Sequence, residues 1–167
     1  MPKLDIKIYP DKILTRKSDE VRSVGNEERK LASDMIETMR AVNGVGLAAP
    51  QVGISKRIIV AEDPENNRTV LVLVNPRVLK KKGRSKFCEG CLSIPQITSD
   101  VVRPDWIIVE ALNLDGKTLR IDTGGLLARI LQHEIDHLEG VLFIDRIGFL
   151  RRKKIVKNIS SNVCMEL

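Results

Sequence analysis

The two histidines of this 167-residue chain, His133 and His137, both lie in the pentapeptide His-Glu-Ile-Asp-His. On a helix, residues four apart lie about one turn apart on the same face, so two imidazoles with this spacing can bind one metal ion. Glu134 lies beside them as a potential acid or base. The pattern predicts a metal site on a helix, and the alternative is a helix with two surface histidines.

A catalytic metal ion typically has three protein ligands and an open position for water, so one ligand remains to be found. The strongest candidate is in Cys88-Glu-Gly-Cys91, because a thiolate with two imidazoles suits Zn²⁺, Fe²⁺ or Ni²⁺. Two alternatives use the same residues: a closed structural Cys₂His₂ site, and a redox pair of the two cysteines. The long separation from the histidines argues against the first, and Pro95 in an extended segment argues against the second.

The composition is that of a globular protein, with 43% hydrophobic, 30% charged and only 3% aromatic residues, which predicts an aliphatic core. We expect a single domain over residues 1–167. No apolar run is long enough to span a membrane and the N-terminus has no apolar signal core, so we expect a cytoplasmic protein. The three cysteines, the last of them Cys164, are expected to be thiols.

The net charge of +6 includes two basic runs, at residues 80–86 and 151–157. Each run is either a solvated face or a surface for an anionic partner, most simply RNA. Because the chain has few aromatic residues, it offers no stacking platform for bases. Any RNA contact should therefore be electrostatic and without sequence specificity.

Hydrophobic periodicity predicts three helices and several strands, and therefore an α+β fold with antiparallel or mixed strands around a central metal-binding helix and helices at both ends. The predicted helices cover residues 27–42, 125–139 and 149–159. The predicted strands cover residues 57–61, 70–74, 106–109 and 119–121, with turns at 63–67 and 113–116. The apolar run 70–74 should be buried on both faces.

Residues 44–53 are too rich in Gly and Pro for a regular element. The segment superficially fits a dinucleotide-binding fingerprint, but a charged helix precedes it where a strand is required. Small residues instead allow the backbone to approach a ligand closely. Gln51 follows as a neutral side chain that can donate a hydrogen bond to a developing oxyanion.

Three segments together resemble the three motifs of the peptide deformylases, in the same order and at comparable spacing. They are Gly-Val-Gly-Leu-Ala-Ala-Pro-Gln at 44–51, Glu-Gly-Cys-Leu-Ser-Ile-Pro at 89–95 and His-Glu-Ile-Asp-His at 133–137. The resemblance implies a hydrolase that removes the N-formyl group from the initiator methionine of nascent polypeptides and releases formate. It also implies the α+β fold of that family. The expected cofactor is one divalent ion, Fe²⁺ in the cell, with Zn²⁺, Ni²⁺ or Co²⁺ as substitutes.

The resemblance also implies a role for each motif residue. Cys91, His133 and His137 are the expected metal ligands. Glu134 is the expected general base, and then acid, for a metal-activated water that attacks the formyl carbon. The Gln51 side chain and the Leu92 backbone N–H are expected to hold the oxyanion.

The substrate is expected to bind as an added strand along Gly46. An apolar pocket for the methionine side chain is predicted from four further residues, although each could simply belong to the core. They are Val45, Phe87, Leu126 and Ile130.

Two positions depart from the family pattern. Thr98 stands where many members have an arginine, and Arg129 stands where an apolar residue is common. We further expect Asp136 to support the metal site through Arg103. The basic C-terminal segment is similar to the helix by which some bacterial members dock on the ribosome. The competing functions are a zincin-type endopeptidase and a non-catalytic metal-stabilised binding module.

Overall fold

A computed structural model of the chain describes residues 4–163, with side chains up to residue 159. Cys164, one of the three predicted thiols, lies outside the described residues. The helices are α1 Asn26–Ala41, α2 Gly125–Leu138 and α3 Phe149–Val163. The strands are β1 Gly46–Ala48, β2 Ile58–Asp63, β3 Thr69–Lys82, β4 Ser85–Cys91, β5 Ile94–Arg103, β6 Trp106–Leu112 and β7 Thr118–Gly124.

The strands form two separate sheets. Five of them form an antiparallel sheet in the order β1-β2-β3-β6-β7, and β4 and β5 form a two-stranded antiparallel hairpin. The predicted α+β class is confirmed. Short 3₁₀ helices at Lys12–Thr15, Ala49–Val52 and Phe143–Arg146 connect the larger elements.

Helices α1 and α2 pack on opposite faces of the five-stranded sheet. Strand β2 shows why, because its side chains alternate between the two faces. Ile59 and Ala61 join the cluster that packs against α2, and Ile58 and Val60 join the cluster that packs against α1. The predicted run 70–74 contributes to both clusters, but only its last two residues are fully buried.

The β4–β5 hairpin has its own small core with the C-terminal part of the chain. Val101 of β5 packs there with Phe143 and Ile144, and Ile155 of α3 covers the cluster. The hairpin therefore packs against the segment that follows α2.

Candidate active site

Helix α2 carries both histidines into the interior. The buried apolar residues Leu127, Leu131 and Leu138 fix its orientation against the sheet. The helix ends at Leu138, and Gly140 just beyond it has a positive φ of 71° that suits glycine; a Cβ added there would meet the backbone of Thr15 at 2.8 Å. The helix predicted at 125–139 is confirmed within one residue.

The third metal-ligand candidate, Cys91, comes from the end of β4. A register shift between Gly90 and Cys91 ends the regular ladder at that point. The Sγ atom of Cys91 lies 3.2 Å from Nε2 of His137. The potential ligand atoms of Cys91, His133 and His137 all lie within 4.8 Å of one another.

These three residues fit a divalent transition metal. One thiol and two imidazoles converge in a partly buried space, and the thiolate–imidazole set suits Zn²⁺ or Fe²⁺. Three protein ligands leave a further position open, as in catalytic rather than structural sites. Among the described residues, this group does not include Cys88, which is exposed, so the closed four-ligand alternative is not supported. Cys88 lies in a strand, so the redox motif at the start of a helix is absent as well.

A cavity of about 190 Å³ lies directly against this group. The sequence-predicted site residues that line it are Val45, Gly46, Gln51, Phe87, Cys91, Leu92, Leu126, Ile130, His133 and Glu134. The side chain of Ile130 is buried, whereas Val45, Phe87 and Leu126 are exposed by 51%, 54% and 43%. Three large apolar side chains around one opening suggest a surface that an apolar ligand group can cover.

Glu134 points into the cavity beneath strand β1. A Cβ added to Gly46 would lie 2.9 Å from both Cγ and Cδ of Glu134, so only glycine allows this approach. Burial raises the pKa of Glu134 to about 7, and its Oε2 atom has no hydrogen-bond partner among the described residues. A carboxyl with a pKa near neutrality can both accept and return a proton.

Gln51 is held in one orientation by hydrogen bonds. Its Oε1 accepts from the backbone N–H of Ala48 at 2.9 Å, so its Nε2 faces Ser93 Oγ at 3.3 Å and Cys91 Sγ at 3.5 Å. The amide therefore presents donors at the candidate metal group. Leu92 follows Cys91 directly, at the turn between β4 and β5.

Glu89 connects more groups than the sequence suggested. Its carboxylate is 6% exposed and accepts hydrogen bonds from Arg103 at 2.7 and 2.9 Å and from Arg129 at 2.5 Å. It also lies 3.1 Å from Nδ1 of His133. Burial alone would raise the pKa of Glu89, but the bonds to His133, Arg103 and Arg129 lower it far below its ordinary value.

The two histidines have opposite pKa shifts. Burial disfavours the charged form of His133, but the bonds to Cys91 and Glu89 and the charge of Glu134 outweigh it and raise its pKa to about 10. Burial and the neighbouring charge of His133 hold the pKa of His137 well below its ordinary value. A metal ion binds neutral imidazoles, so His133 would have to give up a proton to bind one.

The two departures from the expected pattern lie near the same cavity. Arg129 is buried against Glu89 and Ser85, and its guanidinium lies 5.6 Å from the ring of Phe87. It therefore forms part of the cavity wall, and the carboxylate of Glu89 balances its charge. Thr98 is exposed and pairs with Gly90 across the hairpin. The predicted contact of Asp136 with Arg103 is present, at 2.7 Å.

The fold and the site define an α+β protein in which a Cys–His–His group lies against a cavity that also holds a buried carboxylate. The polypeptide deformylase family model matches residues 3–153. The peptide deformylase of Thermodesulfovibrio yellowstonii is 44% identical over 160 residues, which cover 95% of this chain and 97% of that protein. The peptide deformylase of a Picosynechococcus species is 49% identical over 150 residues, with 87% and 80% covered.

Solved structures agree with the sequence relatives. The crystal structure of peptide deformylase from Ehrlichia chaffeensis is similar with a TM-score of 0.91 and 37% identity, and 99% of each chain is covered. The structure from Legionella pneumophila gives a TM-score of 0.90 at 36% identity, covering 99% of this chain and 98% of that one. The chain belongs to the polypeptide deformylase family.

Proposed function

We propose that this chain is a divalent-metal-dependent deformylase that hydrolyses the N-formyl group of formyl-methionyl nascent peptides and releases formate. The observation that carries the proposal is the convergence of Cys91, His133 and His137 beside Glu134 in one cavity with an apolar rim. The ion, Fe²⁺ in the cell by family resemblance, would supply Lewis-acid activation of water and of the formyl oxygen. Zn²⁺, Ni²⁺ or Co²⁺ would substitute for it.

Glu134 is the group that moves protons. It would take a proton from the attacking water and later give it to the amine that leaves when the formyl C–N bond breaks. The products are formate and a peptide with a free N-terminal amine. Its buried position beneath Gly46 and its pKa of about 7 support both steps.

Gln51 and Leu92 would stabilise the charge that develops on the formyl oxygen. The Gln51 amide is fixed with its N–H groups toward the metal group, and removing one such donor typically costs about 2.7–4 kcal/mol of barrier. The Leu92 backbone N–H is the proposed second donor.

The rest of the cavity would hold the substrate. Strand β1 lies at the edge of the five-stranded sheet, so its backbone at Gly46 is placed to pair with an extended peptide. The methionine side chain would lie among Val45, Phe87, Leu126 and Ile130, of which the first three are exposed around the opening.

The deciding experiment compares formyl-Met-Ala with acetyl-Met-Ala on anaerobically prepared protein. Formate release from the formyl peptide alone supports the proposal, whereas cleavage inside casein would support the endopeptidase alternative. Glu134→Ala should retain the metal and lose activity. A protein that turns over neither substrate with Fe²⁺, Zn²⁺, Ni²⁺ or Co²⁺ would refute both enzymatic functions.

The basic helix α3 is proposed to dock on the ribosome, and the protein is proposed to act in the cytoplasm. Phe149 and Leu150 at its start are 75% and 80% exposed, and Arg151, Lys153 and Lys154 are exposed beside them. No helix among residues 4–163 is long and apolar enough to cross a membrane. Sedimentation with ribosomes tests the docking. The bound fraction should fall when these three cationic residues are replaced by Glu or when the salt concentration is raised.

A further inference from the structure

A continuous line of alternating charges runs from His133 to the end of the 3₁₀ helix that precedes α3. We call it the ion chain, and its members are His133, Glu89, Arg103, Asp136 and Arg146. The proposed mechanism uses only the first of them. The far end, Arg146, lies in the 3₁₀ helix Phe143–Arg146 and its side chain is 47% exposed.

The geometry of the ion chain restricts each side chain in it. Arg103 contacts Glu89 through two nitrogen atoms, at 2.7 and 2.9 Å, and uses Nη1 to reach Asp136 at 2.7 Å. Arg146 also contacts Asp136 through two nitrogen atoms, at 3.0 and 2.5 Å. Paired contacts of a planar guanidinium fix the orientation of the carboxylate as well as its distance.

The inner part of the ion chain is shielded from water. Arg103, Glu89 and Asp136 are 3%, 6% and 7% exposed. Buried ion pairs are screened little by salt, and loss of one partner leaves a charge that the surroundings cannot solvate. A substitution at Asp136 should therefore alter the position of the Glu89 carboxylate, because Arg103 contacts both residues and must reorganise.

At the inner end, Glu89 faces Nδ1 of His133, which leaves Nε2 for the ligand group. A carboxylate that accepts from the second ring nitrogen fixes both the tautomer and the ring orientation of a metal-binding histidine. We propose that Asp136 and Arg146 are positioning residues for His133, acting on it through Arg103 and Glu89. The inference rests on the proposed metal role of His133.

Helix α2 offers a matched control for this inference. Glu139, directly after the helix, pairs with the buried Arg57 at 2.6 Å, as Asp136 pairs with Arg103. Among the described residues, neither side chain is hydrogen-bonded to Glu89 or His133; the Arg57 side chain also donates to the Pro76 carbonyl, and the Glu139 side chain also pairs with Lys17. Glu139→Gln therefore removes an ion pair with a buried arginine, at a carboxylate that is 39% exposed, without changing the ion chain.

The experiment measures the Zn²⁺ affinity of reduced, metal-free protein by competition with a chromogenic chelator, together with the visible absorption of the Co²⁺ form. Asp136→Asn and Arg146→Gln should each weaken Zn²⁺ binding about tenfold and shift the Co²⁺ bands, and Glu139→Gln should change neither. Glu89→Gln should weaken binding at least as much. Asp136→Asn combined with Glu89→Gln should add little to Glu89→Gln alone, because both act through one path.

Thermal unfolding separates positioning from support of the fold. Arg146→Gln should disturb the fold less than Asp136→Asn, because Arg146 lies at the half-exposed end of the ion chain. If Asp136→Asn and Arg146→Gln lowered only the Tm and kept the wild-type affinity and Co²⁺ spectrum, the inference would be overturned. Wild-type protein that binds no stoichiometric metal would overturn the proposed function, and this inference with it.

Discussion

Replacement of Gly46 by Ala should disable the site while leaving its metal ligands in place. The added Cβ would lie 2.9 Å from Cγ and Cδ of Glu134 and closer still to Oε1. Ordinary van der Waals contact begins at 3.4 Å, so the carboxylate must retreat by at least 0.5 Å (3.4 minus 2.9). Because Gly46 lies in β1, hydrogen-bonded to β2, the strand cannot easily move away instead.

The size of the effect follows from this displacement. A misplacement of about 1 Å can reduce catalysis about 100-fold, so a retreat of at least 0.5 Å predicts that kcat/KM falls by about one to two orders of magnitude. Overpacking in a buried site typically costs about 1–3 kcal/mol of unfolding free energy. Metal content should stay stoichiometric, because the methyl group contacts Glu134 rather than the imidazoles.

The assay is formate release from formyl-Met-Ala, with metal analysis and urea unfolding on the same preparation. Gly148→Ala is the control, because a Cβ there would meet nothing within 4 Å. A Gly46→Ala protein that kept at least half of the wild-type kcat/KM would show that the position of Glu134 does not limit the reaction, and the reasoning would fail.

Three further predictions concern the metal and pH. Cys91→Ala should lose stoichiometric metal in elemental analysis and Cys88→Ala should keep it; loss in both would contradict the three-ligand assignment. In metal-free protein, burial raises the pKa of Glu134 from 4.5 to about 7, so the folded state holds this proton more tightly than the unfolded state. The resulting contribution to the free energy of unfolding is fully present below pH 4.5 and is lost as pH rises through about 7. Glu134→Gln should therefore become more stable relative to wild type over that interval in urea unfolding, and parallel curves would refute this. Zn²⁺ affinity should rise at least about tenfold per pH unit between pH 7 and 9, because His133 with its pKa of about 10 must lose a proton and Cys91 must bind as the thiolate; a flat profile would contradict it.

The helices and the two histidines could be predicted from local pattern. Helix α1 was predicted at 27–42 because its apolar residues recur at helical spacing, and the structure has it at Asn26–Ala41. At its start, the Glu28 side chain accepts a hydrogen bond from the Gly25 N–H. The strands predicted at 57–61, 106–109 and 119–121 are one, three and four residues shorter than β2, β6 and β7 of the structure. The prediction of a single domain over residues 1–167 stays a prediction.

The hairpin and the Glu89 cluster could not be predicted in the same way. Residues 78–86 are rich in Lys and Arg and give no alternating apolar pattern, yet they form the end of β3 and the start of β4. Their pairing depends on partners far along the chain, such as Lys81 with Ile107. The meeting of Glu89 with Arg129 and His133 likewise depends on how the hairpin packs on α2, which local sequence does not encode.

The division into two sheets has a consequence for the lifetime of the protein. Cys91 belongs to the β4–β5 hairpin, and the histidines belong to a helix packed on the five-stranded sheet. A bound ion therefore crosslinks two units that share no strand ladder among the described residues. When the ion is lost, the hairpin loses one of its attachments, so local opening and cleavage by proteases should begin at residues 85–103. Metal supply would then determine how long the folded chain survives.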